Sequence, residues 1–496
     1  MRERTLIWIA ALLAFGGTLA GAFVFDDFAL FTRPEITEPS GWWECWGLLQ
    51  TRPLTWFTFW ISDRFGQNPI GWHLVSLVLH LAVAALVWDV LRKLIPPRAA
   101  LIAAVIFAVH PIVTESVAYV FARGTLLGAC FSLLAIRSWI AERRWTSVLW
   151  FVAAMLAKEE YAALPLFLLL LDFSRRARIR WRPVAAMLAI SLALGLRVVW
   201  ATFVTPGVPA GPHAGISPGS YLLAQGPTIL GYLRRLLMPW GFSVDYEAAP
   251  PPLWLALAAW TGIAALAVAA CYRFRSLRAG FWFLAGLVLL APSSSIFPAA
   301  DLAADRRMYL PLAAFAACAG LMLQRVDSRV ISAMVVCLIA ISIRYTSLWI
   351  SPEKLWSEAV RVAPGKLRPR LQLARSVPPD QALDVLADAA ELAPNDPAVP
   401  AAQGRVLLSL RRPGEALRAF GRALALAPSD PAAFNNRGAA LLALGQTQAA
   451  RADFERALAR DPCLFNARFN LAQMGQQTPD QSGCRYTPSQ IKMLHR

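Results

Sequence analysis

What constrains this chain most is a series of apolar stretches, each close to the ~20 residues a helix needs to cross a bilayer. Eleven begin near Thr5, His73, Ala99, Gly124, Trp145, Tyr161, Pro183, Trp254, Ala279, Met308 and Val330. The fifth and sixth are short, and their junction at Lys158-Glu159-Glu160 is polar. The chain is 57% hydrophobic and 16% charged, with a mean hydropathy of +0.48, which leaves too little polar surface for a soluble globule. From about residue 351 the apolar runs stop and Ala, Pro, Asp and Arg take over. We therefore expect an all-α protein with a multi-span membrane domain over 1–350 and a soluble domain over 351–496.

The net charge of +17 does not mark a nucleic-acid binder, because much of the excess Lys and Arg sits in short loops between apolar stretches. Arg2 and Arg4 place the N-terminus in the cytoplasm. With eleven crossings, five loops then fall on the same side. They carry Arg92, Lys93 and Arg98; Arg143 and Arg144; Arg175, Arg176, Arg178, Arg180 and Arg182; Arg273, Arg275 and Arg278; and Arg325 and Arg329. The longer loops 26–70 and 205–252 fall opposite and are poorer in Lys and Arg for their length. An odd number of crossings sends the C-terminal domain to the non-cytoplasmic side, a periplasm or an endoplasmic-reticulum lumen. No A-x-A-like cleavage site precedes Asp26-Asp27, so the first stretch is expected to be a retained anchor and not a signal peptide.

The seven cysteines show no metal-ligand spacing. Cys130, Cys271, Cys318 and Cys337 lie in apolar stretches and read as packing residues. Cys463 and Cys484 are able to pair only in an oxidising compartment.

The soluble part repeats itself every 34 residues, the period of tetratricopeptide helix pairs. Gly404 recurs as Gly438, Ala416 as Ala450, Phe420 as Phe454, Ala423 as Ala457 and Pro428 as Pro462. One period earlier, Ala382, Leu386, Ala389 and Pro394 keep the frame, and a half-repeat begins near Phe465, where Asn466 and Arg468 echo Asn435 and Arg437. Such an α-solenoid presents a concave surface to an extended peptide or another protein, or else caps the membrane domain.

Ionisable groups at the edges of membrane stretches are costly and ask for a reason. Asp26 and Asp27 directly follow the first stretch. Adjacent carboxylates either share a metal ion, hold one another's titration apart so that one serves as a base, or simply end a helix in water. His110, Glu115, Arg123, Lys158, Glu159, Asp245, Asp305, Arg306 and Arg307 are expected on the same side of the membrane. Several carboxylates and several cations at one level suit chemistry with a phosphate leaving group. Arg234 and Arg235 are either part of that set or interfacial anchors.

The runs Arg52-Pro53-Leu54-Thr55, Asn68-Pro69, Trp72 to His80, Phe107 to Pro111 with Thr114-Glu115, and Lys158-Glu159 resemble the transmembrane and tetratricopeptide-repeat (TMTC-type) O-mannosyltransferase family. So do Tyr232 to Arg235 with Asp245-Tyr246, Pro292 to Pro298, and Asp305-Arg306 with Tyr309-Leu310-Pro311. These segments occur in the family's order over nearly the whole chain. The resemblance implies a C-type (GT-C) glycosyltransferase membrane domain, a polyprenyl- or dolichyl-phosphate sugar donor, and work on the non-cytoplasmic face. It matches the family's acidic pair to Asp26 and Asp27. Val113, the run Ala122-Arg123-Gly124-Thr125, and Asp305 in place of a Glu depart from the family pattern.

On this reading Asp26 or Asp27 takes a proton from a Ser/Thr or other hydroxyl as it attacks the sugar. Arg123, Lys158, Arg306 and Arg307 hold the leaving phosphate, and His110, Glu115, Glu159, Asp245 and Asp305 support them. A divalent metal, Mg or Mn, between Asp26 and Asp27 is the open cofactor question. The expected partners are the bilayer, the lipid-linked sugar and a protein acceptor on the repeats. The alternatives are transfer to an envelope glycan or lipid, and a non-catalytic scaffold that uses the repeats alone.

Overall fold

Hydrophobic side chains on all sides of the long segments leave no strand-like alternation, and the computed structural model is helical throughout. It describes residues 1–205, 210–247, 250–274, 279–299, 301–476 and 483–494; Arg275 and Arg278 lie outside them. Among the described residues there is no strand, and Ala210 and Ala299 form an isolated bridge. Contacts divide the chain into two units. The first comprises Met1–Asp27 and Trp42–Ser351, the second Phe28–Gly41 and Pro352–Arg496.

In the first unit, 6 helices among the described residues are long and apolar enough to cross a membrane: Arg2–Ala20, Pro69–Leu91, Val120–Ile140, Trp181–Val204, Leu253–Tyr272 and Ser328–Leu348. Pro97–Val109 and Pro111–Ala118 make a seventh if the 48° bend between them lies within one span. Length and composition thus account for six or seven of the eleven expected crossings. The rest correspond to shorter helices, including Arg144–Ala157, Leu164–Ser174 and Tyr309–Leu323, because polar 3-10 turns at Glu159–Ala163 and Asp305–Met308 take up chain that an uninterrupted span would use. Pro111 cannot donate a hydrogen bond to the turn before it, so the ladder breaks at His110 and the chain bends there. Buried polar side chains bond across helices: Ser342 Oγ donates to the carbonyl of Val109 at 2.6 Å, and His80 Nδ1 lies 2.8 Å from the Tyr309 hydroxyl. Gly128 faces the ring of Tyr161 so closely that a Cβ has no room, which brings the turn 159–163 against the helix Arg123–Ile140.

The second unit is a stack of helix pairs: Leu367–Leu373 with Pro379–Leu392, Ala398–Ser409 with Pro413–Leu426, and Pro431–Ala443 with Thr447–Arg460, followed by Phe465–Gln473. Pro352–Val362 precedes them and ends on Ala363-Pro364, as two later helices end on Ala393-Pro394 and Ala427-Pro428. At Gly438 a Cβ would run into the Phe454 ring, so the small residue and the aromatic set the crossing between the two helices of a repeat. The half-repeat keeps the 34-residue frame, with Val399, Ala433 and Ala467 all buried at successive equivalent positions. Asn466 and Arg468 therefore fall three residues short of the places equivalent to Asn435 and Arg437. Cys463 and Cys484 form a disulfide.

Candidate active site

The acidic pair follows a short extended run after the first span, and Phe25, just before it, has a φ of 48°. A bulky residue held in the left-handed region is strained by about 1–3 kcal/mol, and the surrounding contacts must impose it. The turn splits the two acids. Asp27 is fully buried: its Oδ2 accepts from the amide of Val24 at 3.0 Å and its Oδ1 from the amide of Phe121 at 2.8 Å. Burial pushes its carboxyl up to about 7, against the pull of those two amides. Asp26 is half-buried, and its Oδ2 accepts from the Tyr119 hydroxyl at 3.0 Å. Burial and the charges of Asp26 and Asp27 hold the Tyr119 phenol well above its ordinary range, so it remains a hydroxyl donor.

The cations gather at the segment 301–311. The Arg306 amide donates to Glu115 Oε2 at 2.9 Å, and its guanidinium bonds Glu115 Oε1 and, at 2.8 Å, Asp301 Oδ2. The Arg307 guanidinium is held by the main-chain carbonyls of Asp301 at 2.5 Å and Leu302 at 3.1 Å. Lys158 Nζ donates to Thr125 Oγ1 at 2.8 Å and pairs with Glu160 at 2.9 Å. A small cavity of ≈ 10 Å³, room for about one water, lies among Thr125, Glu160, Tyr161, Ser293, Arg306 and Arg307. Glu159 meets Arg52 through two bonds of 2.9 and 2.5 Å; although burial works the other way, Arg52 draws its carboxyl down to about 2. The cations are thus not unopposed. Arg52, Lys158 and Arg306 each have a carboxylate partner, whereas the partners of Arg307 are neutral carbonyls.

The remaining expected site residues each have their own partners. The Arg123 guanidinium is fully buried, donating to the Thr58 carbonyl at 3.1 Å, Ser62 Oγ at 2.8 Å and the Trp72 carbonyl at 3.3 Å, with its charge over the rings of Phe59 and Trp72. His110 Nδ1 accepts from the Ile112 amide at 3.1 Å, which leaves Nε2 to donate to the Leu236 carbonyl at 3.3 Å. Asp305 accepts from the Tyr246 hydroxyl and lies 3.4 Å from Arg235, which stands over the Tyr246 ring. Burial pushes Asp305 up to about 7 against the pull of Arg235. Asp245 is buried, its amide donating to Ser243 Oγ at 3.2 Å. Tyr119, Arg52 and Glu160 are not singled out as site residues by the sequence; of these, Arg52 stands in a motif that carries the family resemblance.

The donor set suits a metal poorly. Both oxygens of Asp27 are turned to main-chain amides, so the pair does not present two carboxylates to one cation. No group of three or more His, Cys, Asp or Glu able to hold a metal occurs among the described residues.

A tetratricopeptide-repeat family model matches residues 401–463. Human protein O-mannosyl-transferase TMTC4 is 32% identical over 201 residues, which is 32% of this chain and 27% of that protein. Protein O-mannosyl-transferase F38B6.6 of Caenorhabditis elegans is 25% identical over 403 residues, 73% of this chain and 58% of the relative. The chain is thus similar to TMTC-type protein O-mannosyl-transferases over part of its length. The matches span about a quarter to somewhat over half the length of these relatives. Among solved structures, ArnT from Cupriavidus metallidurans bound to undecaprenyl phosphate is similar over 95% of this chain and 80% of its own, at 14% identity and a TM-score of 0.40.

Proposed function

We propose that this chain is a membrane glycosyltransferase of GT-C type that moves a hexose from a polyprenyl- or dolichyl-phosphate donor to a hydroxyl, the sugar being mannose and the acceptor a protein Ser or Thr, as its relatives' names suggest. The observation that carries the reading is the division of the acidic pair. Asp27 is locked by two amides and serves as a brace, while Asp26 stands half-buried beside it and acts as the base. The acceptor oxygen attacks the anomeric carbon and its proton passes to Asp26. The bond from that carbon to the phosphate oxygen breaks, and the lipid phosphate leaves with the electron pair. Arg307 meets the departing charge first, since its own partners are neutral, and Arg306 and Lys158 follow by exchanging their carboxylate partners for phosphate.

The eleven-crossing topology belongs to this proposal, with the shorter helices crossing as parts of a packed bundle and the repeats on the non-cytoplasmic side. The Cys463–Cys484 disulfide supports an oxidising compartment for the repeats, a periplasm or lumen, where they recruit the acceptor. The test is transfer in membranes supplied with radiolabelled undecaprenyl-phosphate mannose or dolichyl-phosphate mannose. Asp26→Asn is expected to lose about 100-fold or more of the rate. Wild-type transfer by Asp26→Asn at equal abundance would sink the assignment of the base.

A further inference from the structure

We propose that Tyr119 is a positioning residue that fixes the direction of the Asp26 carboxylate; the inference rests on Asp26 being the base. The Tyr119 hydroxyl donates to Asp26 Oδ2 at 3.0 Å and accepts from the Asp26 main-chain amide at 3.3 Å, so it ties side chain and backbone of one residue together. Two residues further along the same turn, the Phe121 amide holds Asp27 Oδ1 at 2.8 Å. The turn 119–121 is thus a two-pronged clamp, with the tyrosine side chain on one acid and the main chain on the next. Tyr119 is itself buried, its ring against Trp349 at 5.7 Å and Phe121 at 6.1 Å.

Each bond to a carboxylate on a connecting loop narrows the rotamers it samples, only some of which reach an incoming hydroxyl. Holding the residue at two points removes that search before the acceptor arrives. The strained φ of 48° at Phe25 matches this arrangement, because Asp26 can meet Tyr119 while Asp27 points inward only if the chain turns sharply between them and the span.

Tyr119→Phe keeps the ring contacts and removes both hydrogen bonds. With the mannose donor above, kcat should fall about 10- to 100-fold while KM stays within about twofold. 3-Fluorotyrosine installed at position 119 alone keeps the hydroxyl and should restore kcat. A second readout does not depend on turnover: purified full-length protein is treated at pH 6 with a water-soluble carbodiimide and glycine ethyl ester, and labelling of Asp26 is read by peptide mass spectrometry. Asp27, Arg123 and Arg306 are present in both proteins, so the loss of a donor to the ionised carboxylate should raise labelling about threefold in Tyr119→Phe. Unchanged labelling together with kcat within twofold overturns the clamp. If labelling rises but Asp26→Asn is fully active, the clamp stands and the assignment of the base fails.

Discussion

The repeat unit and the membrane unit both depend on charged side chains, but over different distances along the chain. In the repeats, Arg412 with Glu415 and Arg451 with Glu455 pair within a turn of their own helix and stand in solvent. The buried Asp453 is shared by Arg437, 16 residues away on the facing helix, and Arg456, 3 residues away. In the membrane unit, Arg52 reaches Glu159 across 107 residues and Arg306 reaches Glu115 across 191, and these carboxylates are half-buried or buried. Exposed pairs on one helix contribute a few tenths of a kcal/mol. Long-range buried pairs join segments that no local preference brings together, and a broken pair leaves a charge without its partner. Charge therefore joins neighbouring helices in the repeats, whereas in the membrane unit it joins segments far apart in the chain.

This contrast can be broken or sharpened by experiment, and the largest expected effect is at the longer-range of these two ion pairs. Glu115→Gln removes one of the two carboxylates on the Arg306 guanidinium and leaves Asp301, which should cost about 3 kcal/mol in detergent unfolding. A loss no larger than that of an exposed pair would mean that the segment 301–308 is held by packing alone. Removing the disulfide with Cys463→Ser should cost about 3 kcal/mol, seen as faster proteolysis at the C-terminal end of the repeats under oxidising conditions. Gly438→Ala puts a methyl group against the Phe454 ring and should destabilise the repeats by about 1–3 kcal/mol, with donor turnover unchanged if the units act separately.

The pH response should come from the membrane unit. Asp27 and Asp305 titrate near 7 when folded, against about 3.9 in an unfolded chain, so between those values the folded protein binds more protons. Stability should then fall as pH rises from about 4 to 7 and level off above, and Asp305→Asn should flatten part of that slope in thermal melts. The smallest effect is expected at Arg412→Ala, which disrupts an exposed pair and should leave the melting midpoint of the repeats in place.

What could be read from the sequence follows the same division. Gly404, Phe420, Gly438 and Phe454 show the repeat because their contacts recur at a fixed spacing, and only the half-repeat slips, where Asn466 and Arg468 imitate a pattern three residues out of frame. In the membrane unit the apolar stretches are visible, but the polar turns that shorten several of them are set by tertiary bonds. The acidic pair stands out because two carboxylates beside a span are costly. Arg123 stands out equally, yet its guanidinium is enclosed by Phe59, Trp72 and three oxygens contributed by distant segments, which spacing does not reveal. Tyr119 carries no signal of its own. It is one tyrosine among nine, and what distinguishes it is a bond to a residue 93 positions away.

The grouping of Phe28–Gly41 with the repeats makes that unit a body of two pieces separated by some three hundred residues of chain. Residue 351 looks like a seam, the place at which to sever the repeats, graft them onto another anchor or exchange them with those of a relative. Cut there, the C-terminal piece loses a segment whose Ile36 is wholly buried, and the remainder keeps an orphaned strip beginning one residue after the acidic pair. A sounder modular boundary has two cuts, and a chimera that respects only one of them inherits an incomplete unit.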